Sequence, residues 1–373
     1  PPSGCISRPV QIKKAGTLTT IQDAGRTGYQ ELGVPESGAL DNFAFRCANL
    51  LVGNAENTAV LESGLFGPEI KFSEDTFIAI TGADLGPSID GERVNLWETL
   101  KVAAGSILTF SGPTGNGLRS YLAIEGGVAS ESTDMVMGSY STYLPGGFGG
   151  HEGRALRDGD VLRTGIKKEG FTGGLSLENA PHFGSDEMIR IIEGPQIDKF
   201  AESALQTLTS NFYEVTPNSD RMGCRLDGPE LEHLDGPDVI SDGNAFGVIQ
   251  VPGDGKPIIL LADRGTTGGY TKIATVITAD RSKLAQLMPG SSVKFEVVDQ
   301  QKAVDLLREQ ERLLASLLSR EGPQLKFEVD GVMVDVLDDN GHPFTVQSFE
   351  KTTYVATVSN EAGDHQVEVK IFE

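Results

Sequence analysis

The chain has 373 residues, enough at about 150 per domain for two or three compact domains, which excludes a single small module. Hydrophobic residues make up 38%, and the longest apolar runs are strand-length, far short of the roughly 18 that span a bilayer, so no membrane segment is expected. Against 31 Lys and Arg stand 53 Asp and Glu, and the field of a −22 charge repels phosphate backbones and anionic lipid, which argues against nucleic acid or a membrane surface as partner.

The opening Pro1-Pro2-Ser3-Gly4-Cys5 lacks a basic segment followed by an apolar core, so no secretory signal is read there. Turn clusters built from 46 Gly and 18 Pro separate short β-branched runs, and the pattern predicts a mainly β protein. In chain order, a helix is expected over 40–51 behind Asp41 as cap, then strands over 75–81 and 120–124. A Gly/Ser-rich interval over 168–185 reads as a domain boundary, and strands follow over 188–192, 258–262 and 273–277. Ala303, Leu306, Leu307, Leu314, Leu317 and Leu318 recur at helical spacing until Gly322-Pro323 stops them. Alternation then returns in a tail with 3 Lys and 10 Asp and Glu. The expected organisation is a first half over 6–167, a second over 186–298, a helix over 299–322 and a small acidic β tail over 323–373.

Three widely spaced cysteines, Cys5, Cys47 and Cys224, signal neither a disulfide framework nor a structural zinc site, and a reducing cytoplasm fits them. His151, His182, His233, His342 and His365 show no zincin spacing, so no metal is expected.

Asp263 ends an apolar run and Lys272 opens the next, so a hairpin across the glycine-rich turn between them would bring both to one rim. There the carboxylate can accept from the N–H groups of an amide or urea while the ammonium stabilises charge on its oxygen; the plainer alternative is a rim ion pair. Gly268-Gly269 and the run containing Gly149-Gly150 are candidate backbone nests for a carboxylate, phosphate or ureido oxygen, or simply barrel corners that need positive φ. Asn218, Ser219, Asp220 and Arg221 gather four polar functions in one turn, where Arg221 suits a substrate carboxylate and an Asx-type turn is the alternative. Gln22, Asp23 and Arg26 form a similar polar turn, with Asp23 either serving catalysis or pairing with Arg26. The sequence identifies no role for His151 and Glu152, and an isolated surface histidine is expected. No G-x-x-x-x-G-K-[ST] phosphate loop is present.

Five segments occur in one order: G-T-L-T-T-I-Q-D-A-G-R from Gly16, P-E-S-G-A-L-D from Pro35, G-G-F-G-G-H-E-G-R from Gly146, V-T-P-N-S-D-R-M-G from Val215, and L-L-A-D-R-G-T-T-G-G-Y-T-K-I from Leu260. Together, over about residues 8–298, they resemble the biotin-dependent carboxyltransferase family, which takes in allophanate hydrolase subunit 2, the carboxyltransferase half of urea carboxylase and the C component of 5-oxoprolinase. The resemblance implies two tandem cyclophilin-like β-barrels and transfer of a carboxyl group from carboxybiotin to a urea or amide nitrogen. Asp263 and Lys272 would then position substrate, and glycine N–H groups would hold the ureido oxygen. It equally implies ATP-dependent opening of 5-oxoproline to glutamate, with Arg221 on the substrate carboxylate and ATP at a site shared with a partner. A third implication is a non-catalytic regulator that antagonises a kinase inhibitor. A partner resembling allophanate hydrolase subunit 1 is implied, and the biotin would be carried on another domain or chain, with a biotin carboxylase component. Three positions depart from the family pattern: Gly265 and Thr271 stand where Gln and Pro are usual, and Tyr140 where Arg is usual. The tail's K-F-E-V-D-G from Lys326 is similar to the lead-in of biotin-carrier domains, without a Met-Lys-Met for biotin attachment.

Overall fold

The computed structural model describes residues 8–130, 134–165, 167, 170–318, 326–329, 332–335, 353–360 and 363–370. Cys5 and His342 lie outside them. Residues 1–310 and 311–373 form two compact units.

Short β-branched segments bounded by glycine turns build the first half from β1 (Arg8–Lys14), β2 (Thr20–Gln22), β3 (Val60–Gly64), β4 (Glu69–Phe72), β5 (Thr76–Gly82), β6 (Pro87–Ile89), β7 (Glu92–Arg93), β8 (Thr99–Val102), β9 (Ile107–Phe110), β10 (Arg119–Ile124), β11 (Val128–Ser130) and β12 (Val161–Thr164). One sheet runs β11-β12-β1-β4-β9-β6-β7, the other β2-β3-β10-β5-β8. Alternate residues of both face a shared core, with Ile12, Phe72 and Leu108 from the first sheet and Leu61, Ile80 and Leu122 from the second. Helix α1 (Asn42–Leu51) lies against β5 and β10, and its predicted cap is present: the Asp41 carboxylate accepts from the Ala44 N–H at 2.9 Å.

The second half holds β13 (Asp186–Glu193), α2 (Ala204–Ser210), β14 (Tyr213–Val215), β15 (Gly223–Asp227), β16 (Asp238–Gly243), β17 (Val248–Val251), β18 (Ile258–Leu260), β19 (Thr267–Val276), α3 (Arg281–Gln286) and β20 (Ser292–Val297). The order β13-β20-β14-β15-β18-β17-β19 closes on itself where β19 pairs with β13, so the ring has no free edge; β16 hangs outside it on β19. Ile191, Tyr213, Ile249, Ile259, Ile273 and Phe295 fill the centre. Leu40, from the first half, is buried in this second core.

The mainly β reading holds and the predicted strands and helices are present, the strand expected over 273–277 beginning earlier, at Thr267; the expected helix end over 319–322 and its stop at Gly322-Pro323 lie outside the described residues. The hairpin from Asp263 to Lys272 is corrected: β17 pairs with both β18 and β19 and lies between them, so the intervening segment crosses over a strand. All four β17 residues are buried, and that central position rewards them more than an edge would. Gly268 and Gly269 accordingly belong to β19 rather than to a turn, and neither has positive φ. The Gly/Ser-rich interval docks on the first half, where Leu175 C=O accepts from Thr99 N–H at 2.8 Å and Leu177 N–H donates to Trp97 C=O at 2.8 Å.

Helix α4 (Gln300–Leu318) starts at Asp299, whose carboxylate accepts from the Lys302 N–H at 2.7 Å. In the tail, β21 (Lys326–Val329) and β22 (Val332–Asp335) pair antiparallel, as do β23 (Thr353–Asn360) and β24 (Gly363–Lys370).

Candidate active site at the junction of the halves

Four of the five motif segments, scattered along the sequence, are joined by backbone bonds where the two halves meet, and the fifth reaches them through Phe148, whose ring lies 5.0 Å from Arg26 Cζ. Ala39 N–H donates to Asp23 C=O at 3.0 Å, Arg26 N–H to Glu36 C=O at 2.8 Å, Ser37 N–H to Ala262 C=O at 3.2 Å and Asp263 N–H to Arg221 C=O at 2.9 Å. Gly38 permits this closeness, since a Cβ there would meet Gly25 N at 3.0 Å and φ is +85°.

Arg221 is the centre of the junction. Its Nε donates to Asp263 Oδ2 at 2.9 Å, its Nη2 to Gly38 C=O at 2.7 Å, and its Nη1 to Glu62. Burial alone would lower its pKa, but Glu62 and Asp263 outweigh that and hold the guanidinium firmly protonated. Glu62 Oε2 in turn accepts from the Tyr121 hydroxyl at 2.8 Å and the Leu40 N–H at 2.9 Å, and Tyr121 Oη accepts from the Asp41 N–H at 2.8 Å. Gln286 of α3 completes the tie, with Nε2 donating to Asp41 Oδ2 at 2.9 Å and Oε1 accepting from the Arg119 N–H at 2.9 Å. A cavity of about 270 Å³ opens beside this network, walled by Leu118, Val215 and Leu284, with Glu62, Arg119, Asp220 and Arg221 among its polar lining.

Each expected site residue has a definite place. The Asp263 carboxylate faces Arg221, while Lys272, buried in β19, reaches Asp242 of β16 at 3.4 Å, so the two do not form an ion pair with each other. Gly268 lies against side-chain amides: a Cβ there would meet Gln250 Nε2 at 2.7 Å and Asn244 Nδ2 at 2.8 Å. Gly269 faces β16, with Val239 C=O at 3.3 Å from such a Cβ. Gly149 and Gly150 are tightly packed, since added Cβ atoms would fall 2.0 Å from Ser141 C=O and 1.9 Å from Thr142 Oγ1. Asn218 is exposed at the outside of its turn, which Asp220 closes by accepting from Met222 N–H at 2.8 Å and Gly223 N–H at 3.1 Å. Gln22 is buried, its Nε2 donating to Thr142 C=O at 3.2 Å and its Oε1 without a partner. Asp23 accepts from the Ser139 hydroxyl at 2.6 Å, Tyr140 N–H at 2.6 Å, Ser141 hydroxyl at 2.5 Å and Gly25 N–H at 2.8 Å, rather than bonding Arg26.

His151 is not the isolated surface residue expected: it is buried, with Nδ1 2.8 Å from Ser130 Oγ and Nε2 3.4 Å from Asp160. Its neighbour Glu152 pairs with Arg154 at 2.9 Å. Thr271, one of the departures from the family pattern, spends its hydroxyl on His233 Nε2 at 3.0 Å. Glu62, Tyr121, Asn244 and Gln250 escaped the sequence reading. Only Asn244, following Asp242-Gly243 at the end of β16, carried a local signal, since Asp-Gly-Asn is a turn-type sequence.

Residues 32–297 match the family described as carboxyltransferase domain, subdomain A and B, and the chain belongs to that family. It is 37% identical over 311 residues to the C component of 5-oxoprolinase from Escherichia coli, covering 83% of this chain and 98% of that protein. It is also 32% identical over 382 residues to urea amidolyase of Saccharomyces cerevisiae, covering 97% of this chain and 20% of that protein, so it spans about a fifth of it. The crystal structure of Kluyveromyces lactis urea carboxylase superposes with a TM-score of 0.77 at 27% identity, covering 99% of this chain and 33% of that one.

Proposed function

We propose that the chain is the carboxyltransferase component of a biotin-dependent carboxylase acting on a urea or amide nitrogen. The observation that carries this reading is the extent of the similarity: it runs through the tail in the yeast urea amidolyase, 97% of this chain, whereas the E. coli 5-oxoprolinase component accounts for 83% while using 98% of its own length. A tail matched in the yeast urea amidolyase and missing from the E. coli 5-oxoprolinase component favours the first.

Carboxybiotin, when bound, supplies an activated carboxyl group. The donors that would meet its ureido head are the amides beside Gly268, where Gln250 Nε2 donates to Asn244 Oδ1 at 3.0 Å and Asn244 Nδ2 to Gly265 C=O at 3.0 Å, and Lys272, all but buried, with the exposed Asp242 within reach at 3.4 Å. Fixed amide and ammonium donors stabilise charge on a carbonyl oxygen without reorganising. Asp263, oriented by Arg221, is the acceptor for the N–H groups of the substrate, and a carboxylate held by two bonds turns little on binding. A carrier module and a protein resembling allophanate hydrolase subunit 1 are the proposed partners.

The second reading, the C component of an ATP-dependent 5-oxoprolinase, is favoured by the higher identity, 37%. The test supplies the chain with a biotinylated carrier, biotin carboxylase, ATP and labelled bicarbonate and follows label into an acid-labile product. Label that depends on urea or a simple amide supports the first reading. Absence of such label, with ATP-dependent 5-oxoproline opening once the other 5-oxoprolinase components are added, replaces it with the second.

A further inference from the structure

We propose that Arg26 and Ser37 form a binding site for a carboxylate-class monoanion, covered by Phe148. Arg26 is 1% exposed. Its Nη2 donates to Ser141 C=O, but Nε and Nη1 are buried and have no acceptor. A buried guanidinium with open N–H groups is costly unless an anion completes it. The carboxylates whose charge reaches it do not bond it: Asp23 accepts from four neutral donors and Asp263 from Arg221.

Ser37 is the second half of the argument. It sits one residue past Glu36, whose carbonyl receives the Arg26 N–H at 2.8 Å, and it holds φ at +54°, a left-handed value that serine adopts only under constraint. Its hydroxyl is buried and has no partner. Backbone strain, an unmatched hydroxyl and an unmatched cation thus lie on two segments joined by one hydrogen bond, next to the Asp263 strand end to which Ser37 N–H donates through Ala262 at 3.2 Å.

The Phe148 ring lies over the guanidinium, 5.0 Å from Cζ to centroid, and packs edge-on against Tyr143 at 5.4 Å. Between those two aromatics the tip, Pro145 to Gly147, is exposed. Turning this half-buried ring aside would uncover the guanidinium. Charge selects the ligand: one guanidinium flanked by Asp23 and Asp263 tolerates a monoanion and repels a dianion, which points to carboxylate rather than phosphate. That this anion is the carboxyl group in transfer rests on the reading above; the binding site itself does not.

Calorimetric titration of the full chain with sodium acetate and with sodium phosphate, at matched ionic strength, tests this. Acetate should bind the wild type and bind Phe148→Ala at least as tightly, with phosphate weaker. Ser37→Gly suits the left-handed backbone, so its melting temperature should hold or rise while acetate binding falls about 10-fold, the scale of a hydrogen bond to a charged group. Arg26→Gln should abolish binding; if that variant does not fold, Ser37→Gly decides alone. Equal acetate affinity in Ser37→Gly and wild type, a preference for phosphate, or no acetate binding even in Phe148→Ala overturns the proposal. No turnover enters the measurement, so acetate binding without urea-dependent carboxyl transfer removes the functional reading and leaves the site, and the converse removes the site alone.

Discussion

Asp23 and Asp263 are both buried carboxylates in motif loops at the junction, yet different chemistry holds them. Asp23 takes two hydroxyls and two backbone N–H groups, all from the first half, so it shapes a loop. Asp263 takes the guanidinium of Arg221, which also reaches Glu62 and Gly38 on the far side of the junction. Neutral donors organise a site locally, whereas a shared buried cation makes two halves depend on each other.

The largest expected effect breaks the second arrangement. Arg221→Met leaves Asp263 and Glu62 buried without their cation and should destabilise the body by about 3–5 kcal/mol, read as a fall in urea midpoint. A loss under ~1 kcal/mol would mean that the two halves hold together without this tie.

Next come the functional substitutions. Asp263→Asn and Lys272→Met should each lower turnover at least about 100-fold, or roughly 2.7 kcal/mol of transition-state stabilisation, with Lys272→Met keeping its melting temperature because its partner Asp242 is exposed. Near-wild-type turnover in both would move the chemistry elsewhere on the junction.

Asp23→Asn sharpens the contrast. It removes charge but no volume, weakens hydrogen bonds that are all within one half, and should cost about 1–2 kcal/mol while leaving Arg221 and its partners in place. Limited proteolysis checks this: cleavage should increase at the loop around residues 134–141 and not at the junction.

The smallest effect concerns pH. Burial raises the Asp41 carboxyl above the ordinary range near 4, against the opposing pull of the Ala44 N–H and Gln286. A carboxyl whose folded pKa is raised contributes stability below the unfolded value and loses it as pH rises through the folded one. Asp41→Asn, uncharged throughout, should therefore gain on the wild type as pH climbs from about 4 toward 7. Denaturant midpoints at both ends of that range measure it, and a flat difference would show that the charge on Asp41 is fully compensated.

Much of this architecture is local information. Strand alternation, the Asp41 cap and the helical spacing of the leucines after residue 303 each depend on neighbours within a few residues, so the mainly β character and the helices were legible. The motif segments were legible as a family pattern, and the chain belongs to that family. Partners were not legible. Arg221 meets Glu62 across 159 residues, Arg264 meets Glu36 across 228, and nothing within either turn announces the other. The Asp263 and Lys272 strands looked like hairpin neighbours because sequence proximity favours that pairing, but ring closure inserted β17 between them and gave each residue a different counterion. Backbone periodicity and caps are properties of a few adjacent residues, so the elements follow from local chemistry along the chain; which buried charges neutralise each other is settled only when distant strands pack.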